Sequence, residues 1–210
     1  MHKIFEKIKT HSIVPVIKID RPDNALPLCE ALIEGGLPVA EITFRTDAAE
    51  ESIRLVLSRY SDSEILLGAG TVINVELVKR AVDAGASYII SPGMSGAVVE
   101  YCLKTGIPVC PGVVTPTEIQ QALDYGLEVL KFFPAEQAGG TAMLKALSGP
   151  FPDLRFIPTG GINAGNLLKY LELKMVIACG GSWMVKDELI AQGNFSAIHE
   201  LVREAVSLIK

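Results

Sequence analysis

The sequence predicts an α/β chain folded as one (β/α)8 barrel of the TIM type, a single catalytic domain over residues 1–210 with an extra N-terminal helix. Three observations carry this. Short apolar, β-branched stretches alternate with helix-period segments that close on glycine. Eight such stretches occur, several of them continuously apolar, as expected of parallel strands covered by helices. No G-x-G-x-x-G follows the first stretch, which favours a closed barrel over an open doubly wound sheet.

Residues 1–10 read as a short charged amphipathic helix with Ile4, Phe5 and Ile8 on one face. It has no apolar run and no small-residue cleavage site, so no export is expected. Strands are predicted at 13–19, 39–44, 65–67, 88–90, 109–110, 129–133, 155–157 and 175–179. Between them, Asp47 is placed to cap a helix with Glu50 reaching back, and Thr115-Pro116-Thr117-Glu118 spells a fuller capping box with proline at the first helical position. Gly35, Gly85, Gly106 and Gly126 stand where a left-handed residue would end each helix. A second set of small residues follows the strands: Gly68-Ala69-Gly70, Ser91-Pro92-Gly93, Pro111-Gly112, Gly160-Gly161 and Gly180-Gly181. In a barrel that end carries the active site, and small residues let a ligand approach the backbone.

Composition narrows the partners. Lys and Arg total 19 against 24 Asp and Glu, a net charge of -5 that lacks the cationic surface nucleic acid requires. A small anionic substrate remains open, because a few cations and N–H groups at one spot outweigh the global sign. The apolar runs are strand-sized and broken by Gly, Pro or charge, so no membrane span is expected. Cys29, Cys102, Cys110 and Cys179 form no C-x-x-C pair and sit in apolar surroundings, which fits a reducing cytoplasm without disulfides or structural zinc.

Lys131 lies at the end of the sixth predicted strand inside Val129-Leu130-Lys131-Phe132-Phe133. One reading packs its stem on the barrel rim and sends the ammonium to water. The other makes it a nucleophile, which needs an uncharged amine, yet at an ordinary pKa near 10.4 only about 0.04% is uncharged at pH 7. The apolar neighbours are expected to supply the difference by desolvation. On the second strand Glu41, Thr43 and Arg45 project to one face because the side-chain period is 2. Alone, Glu41 and Arg45 read as an ion pair. With Lys131 facing the same interior, the set divides into nucleophile, proton shuttle and carboxylate clamp. Gly160-Gly161 and Gly180-Gly181-Ser182, at consecutive strand ends, suit a phosphate cradle of backbone N–H groups, although either pair alone reads equally as a turn. His2, His11 and His199 cannot cluster by spacing, so metal-dependent aldol cleavage or epimerisation and a Ser-His-Asp triad lose support. Trp183 and Met184 read as packing.

These residues fall in segments that match a known family nearly end to end. They include Glu41-Ile42-Thr43-Phe44-Arg45-Thr46, Gly68-Ala69-Gly70-Thr71-Val72, Ser91-Pro92-Gly93, Lys131-Phe132-Phe133-Pro134-Ala135-Glu136, Pro158-Thr159-Gly160-Gly161-Ile162 and Gly180-Gly181-Ser182-Trp183. The chain resembles the bacterial 2-keto-3-deoxy-6-phosphogluconate (KDPG) and 4-hydroxy-2-oxoglutarate (KHG) aldolases, class I enzymes of carbohydrate metabolism (the Entner-Doudoroff route). The resemblance implies Lys131 as the Schiff-base lysine and Glu41 as acid and base. It implies Arg45, Thr71, Pro92, Phe133 and Thr159 around the pyruvate moiety, and phosphate on Gly160, Gly161, Gly180, Gly181 and Ser182. It further implies no metal, no cofactor, a phosphorylated keto acid as substrate, and a homotrimer. Thr159 resembles the gluconate-type enzymes, where galactonate-specific relatives tend to carry an aliphatic residue. Lys18, where relatives vary, is left to touch substrate or face solvent. Two other functions stay in play: a phosphosugar isomerase or epimerase on the same barrel, and a non-catalytic phosphometabolite-binding protein.

Overall fold

A computed structural model describes residues 1–210. Helix α1 (Lys3–His11) precedes β1 (Ile13–Ile17), and the first half continues through α2 (Ala25–Glu34), β2 (Val39–Thr43), α3 (Ala49–Arg59), β3 (Leu66–Gly70), α4 (Val75–Asp83), β4 (Ile89–Ile90) and α5 (Gly96–Thr105). The second half runs β5 (Val109–Cys110), β6 (Gly112–Val113), α6 (Pro116–Asp124), β7 (Val129–Phe132), α7 (Gly140–Ser148), β8 (Arg155–Pro158), α8 (Leu167–Leu171), β9 (Cys179–Gly181), α9 (Asp187–Ala191) and α10 (Phe195–Ser207).

Every strand pairing is parallel. The strands form a six-stranded sheet in the order β5-β4-β3-β2-β1-β9 and a three-stranded sheet in the order β6-β7-β8, in place of the one continuous eight-stranded ladder that the sequence predicts. The division falls at Pro111. Proline brings no N–H to a ladder; the fifth strand, predicted at 109–110, ends before it as β5 and pairs with β4, while the unpredicted β6 beyond it pairs with β7. Between β8 and the last strand only two isolated parallel bridges form, Phe156 with Val176 and Thr159 with Gly180. The eighth strand, predicted at 175–179, accordingly begins only at Cys179.

The strand-end glycines divide by what packs against them. Gly68 and Gly70 lie within β3, and Gly180 and Gly181 within β9, instead of following their strands. A Cβ on Gly68 would run into the Tyr88 ring, on Gly70 into the Glu41 carboxylate, on Gly180 into Thr159, and on Gly181 into Trp183. Absent side chains make room here for large neighbours. Gly85, Gly106 and Gly126 take positive φ of 104°, 74° and 73°, as helix stops do. Gly35 does not; its φ is -70°, and the left-handed residue is Gly36 at 85°. Gly35 is small because a Cβ there would overlap Val202, which lets α10 close onto α2.

Thr115 and Glu118 form the capping box at the start of α6. Asp47 caps nothing: α3 starts at Ala49 without a side-chain cap, because Glu50 turns away to accept from Arg80 at 2.7 Å and from Arg54 at 2.9 Å. One hydrophobic cluster of 62 buried residues extends from Phe5 to Val206, so the N-terminal helix and α10 share the core that supports the strands. No helix is long and apolar enough to cross a membrane.

Candidate active site

Parallel pairing in register brings the chemistry of two distant strands together. Glu41 pairs across to Val16 and Gly68, while Lys131 lies opposite Gly112 and Ile157. The Lys131 Nζ donates to Glu41 Oε1 at 3.3 Å, and the two side chains are 6% and 2% exposed. The Phe133 ring stands 5.1 Å from Nζ, centroid to nitrogen. A buried pair of this kind holds one transferable proton. Moving it from Nζ to Oε1 leaves an uncharged amine beside a carboxylic acid, with no isolated charge created in an apolar setting.

The pair opens onto a cavity of about 230 Å³. Arg45, Thr71, Pro92, Phe133 and Thr159 line it together with Glu41 and Lys131. Gly160, Gly161, Gly181 and Ser182 also line it. Gly180 is the one predicted site residue outside this lining. It pairs with Thr159 in an isolated bridge and abuts that side chain, so its neighbour Gly181 presents the strand end to the cavity. Val16, Thr43 and Ile162 complete the lining. The period-2 rule had put Thr43 on the correct face; Val16 and Ile162 carried no polar signal.

Arg45 is held by its neck. The buried Thr43 hydroxyl donates to the Ile17 carbonyl at 2.7 Å, which leaves its oxygen to accept from Arg45 Nε at 3.0 Å. The terminal nitrogens of Arg45 meet no protein acceptor and remain available for a planar anion. Thr71 adopts a left-handed φ of 57°, a conformation that costs a non-glycine residue about 1–3 kcal/mol. Gly160 and Gly161 hold positive φ of 100° and 78°. The N–H groups of Gly160, Gly161, Ile162 and Ser182 find no acceptor within the protein. Unpaired donors that converge on a cavity suit an oxyanion.

Lys18 stands apart. Its Nζ contacts Asp20 at 2.6 Å, and it does not line the cavity. The three histidines are likewise dispersed: His2 caps α1, His11 is half-buried with its pKa lowered by desolvation, and His199 faces Glu200. No group of three or more His, Cys, Asp or Glu is arranged to hold a metal ion. A second cavity, about 260 Å³, lies under α1 between Phe5, Leu103 and Leu127 and shares no residue with the first.

Comparison with known proteins bears on this geometry. Residues 4–201 match the KDPG and KHG aldolase family. A 2-dehydro-3-deoxy-phosphogluconate aldolase of Treponema pallidum is 45% identical over 209 residues, covering 100% of this chain and 99% of the relative. The KHG/KDPG aldolase of Escherichia coli K12 is 41% identical over 95% of this chain and 92% of its own. Among solved structures, a KDPG aldolase from Legionella pneumophila, crystallised with pyruvate captured at low pH as a covalent carbinolamine, superposes with a TM-score of 0.92 at 41% identity. It covers 97% of this chain and 98% of its own. A family match across nearly the whole length, joined to full-length relatives well above 30% identity, establishes that the chain belongs to the KDPG and KHG aldolase family.

Proposed function

We propose that this chain is a class I aldolase that cleaves 2-keto-3-deoxy-6-phosphogluconate to pyruvate and glyceraldehyde 3-phosphate, and also 4-hydroxy-2-oxoglutarate to pyruvate and glyoxylate. The observation that carries the reading is the buried Lys131–Glu41 pair at 3.3 Å, opening on a cavity lined by Arg45, whose terminal nitrogens are unpaired. A relative trapped with pyruvate as a carbinolamine supports the same covalent chemistry.

Glu41 takes a proton from Lys131, and the free amine adds to the C2 ketone of the substrate to give a carbinolamine. Glu41 returns a proton to the departing hydroxyl, and water leaves to form the protonated imine. Glu41, now a carboxylate, takes the C4 hydroxyl proton; C3–C4 breaks, and the bonding pair flows into the imine to give an enamine. The aldehyde product departs. Glu41 returns that proton at C3, and addition of water to the imine releases pyruvate and restores the lysine. Arg45 holds the carboxylate so that the ketone carbon is presented to Nζ. Thr71, Pro92, Phe133 and Thr159 shape the pyruvate end, and the N–H groups of Gly160, Gly161 and Ser182, beside Gly181, receive the phosphate. Because the iminium is the electron sink, activity should survive EDTA.

The finer architecture belongs to the same reading. The two sheets act as one (β/α)8 barrel in a single domain, since β5 and β6 are one strand interrupted at Pro111 and the bridges at Phe156–Val176 and Thr159–Gly180 join the remaining edge. A homotrimer and a cytoplasmic setting rest on the family resemblance and on the four free cysteines.

Borohydride reduction in the presence of pyruvate, followed by digestion and mass analysis, tests the assignment. The adduct is expected on Lys131; a label elsewhere, or none, refutes it. Release of pyruvate from the phosphorylated substrate, followed with coupled lactate dehydrogenase, separates an aldolase from an isomerase or a non-catalytic binding protein.

A further inference from the structure

The backbone after β8 is tied down on one side only. The Thr159 carbonyl accepts from the Ala135 N–H at 2.8 Å, and the Gly160 carbonyl accepts from the Glu136 N–H at 3.1 Å. The Gly161 carbonyl accepts twice, from Asn163 Nδ2 at 3.2 Å and from Asn166 Nδ2 at 3.0 Å. A trans peptide is planar and sends its N–H opposite to its C=O. Fixing these three carbonyls therefore aims the next three N–H groups, those of Gly160, Gly161 and Ile162, the other way. All three residues line the cavity, and none of the three N–H groups has a protein acceptor.

The third member differs from the other two in how it is held. Backbone donors fix Thr159 and Gly160, but side chains alone fix Gly161. The two asparagines are also locked to each other and to the turn: the Asn163 N–H donates to Asn166 Oδ1 at 2.8 Å, and the Gly165 N–H donates to Asn163 Oδ1 at 2.9 Å. With the oxygens so engaged, both amide nitrogens point to one carbonyl. Neither asparagine lines the cavity.

We propose that Asn163 and Asn166 are positioning residues that clamp the Gly161 carbonyl, aim the Ile162 N–H into the cavity as the third phosphate donor of this loop, and so set the preference for phosphorylated over unphosphorylated keto acids. This rests on the reading of the Gly160–Gly161 loop as the phosphate cradle. Remote binding of the phosphate then helps to seat the reacting end.

The test compares the wild type with N163A, N166A and the double variant on 2-keto-3-deoxy-6-phosphogluconate and on 4-hydroxy-2-oxoglutarate, with inorganic phosphate as a competitive inhibitor. The double variant should lower the ratio of kcat/KM, phosphorylated over unphosphorylated, by about 10- to 100-fold, the worth of one hydrogen bond to a charged group. Its inhibition constant for phosphate should rise in parallel. Equal fractional losses on both substrates, or no change in the ratio, overturn the proposal. Borohydride trapping of pyruvate, scored in the same samples, shows whether a variant still folds; if the double variant does not trap, the single variants decide by the same ratio. Failure of wild-type protein to be inhibited competitively by phosphate overturns the cradle itself. Wild-type inhibition with unchanged variants overturns the asparagine clamp alone.

Discussion

The Glu41 carboxylate occupies the space that a side chain on Gly70 would fill. The two residues sit on neighbouring strands β2 and β3, and the backbone at Gly70 is the wall against which the Glu41 carboxylate rests. A methyl group there must displace the carboxylate whose Oε1 accepts from Lys131. Gly70→Ala is expected to lower kcat for aldol cleavage by about 100-fold or more, in the range lost with a general acid-base group. Steady-state kinetics on the phosphorylated substrate checks this. A Gly70→Ala enzyme with activity close to that of wild type would show that Glu41 is not held by this contact.

The same pair makes a prediction about stability. Removing one partner of a buried ion pair leaves a charge without compensation and costs about 3–5 kcal/mol, whereas replacing both with apolar groups is often neutral or stabilising. Glu41→Leu and Lys131→Met should each lower the denaturant midpoint well below that of wild type. The double variant should recover to within about 1 kcal/mol of wild type or exceed it. All three should be inactive. Additive losses in the double variant would mean that the two groups do not compensate each other in the folded protein.

Period and punctuation made much of this molecule legible. The alternation of strands and helices, the Thr115–Glu118 box, and the shared face of Glu41, Thr43 and Arg45 all follow from local rules that a reader of sequence can apply. What escaped depends on partners distant in sequence. Gly68, Gly70 and Gly180 read as loop residues, yet each is a strand position emptied for Tyr88, Glu41 or Thr159. Asp47 had the spacing of a cap, but Glu50 is drawn to Arg80 30 residues away. The break at Pro111 was visible as a residue and not as a topological event, because whether a missing N–H interrupts a ladder depends on the neighbouring strand. Asn163 and Asn166 carried no signal in the sequence for the same reason: their acceptor is a carbonyl whose importance comes from the cavity on its far side.

Thr43 is expected to matter through Arg45. Its single proton goes to the Ile17 carbonyl, so its oxygen must accept from Arg45 Nε. Thr43→Val keeps the shape and removes that acceptor. KM for keto-acid substrates should rise about tenfold with a smaller change in kcat, the effect of loosening one hydrogen bond to a charged group, and Thr43→Ser should restore most of it. Arg45→Ala should raise KM further. Should Thr43→Val and Thr43→Ser prove equally damaged, the hydroxyl is not what orients the guanidinium.

Thr159 is expected to influence substrate choice. Its side chain lines the cavity and presses on Gly180. Valine preserves that packing and deletes the hydroxyl. Thr159→Val should therefore fold normally and shift the ratio of specificity constants toward the galactonate epimer, by about 10-fold for the loss of one polar contact. Unchanged ratios on the two phosphorylated epimers would remove Thr159 from the discrimination.

Stability should decline in alkali, and the sign follows from the thiols. Burial pushes Cys29 and Cys179 up to about 12 and Cys102 up to about 11, from an ordinary value of 9.0, and drives Cys110 upward as well. A raised pKa means that the folded chain keeps protons which the unfolded chain has already released. Below pH 9 both states hold them and the stabilisation is complete; from pH 9 to about 12 each deprotonation draws the equilibrium toward the unfolded state. The denaturation midpoint should therefore fall steadily above pH 9. Cys29→Ala should make that decline shallower, and a thiol reagent should label the four cysteines only after unfolding. A midpoint that stays level to pH 11, or rapid labelling of the native protein, would contradict the placement of these thiols in the core.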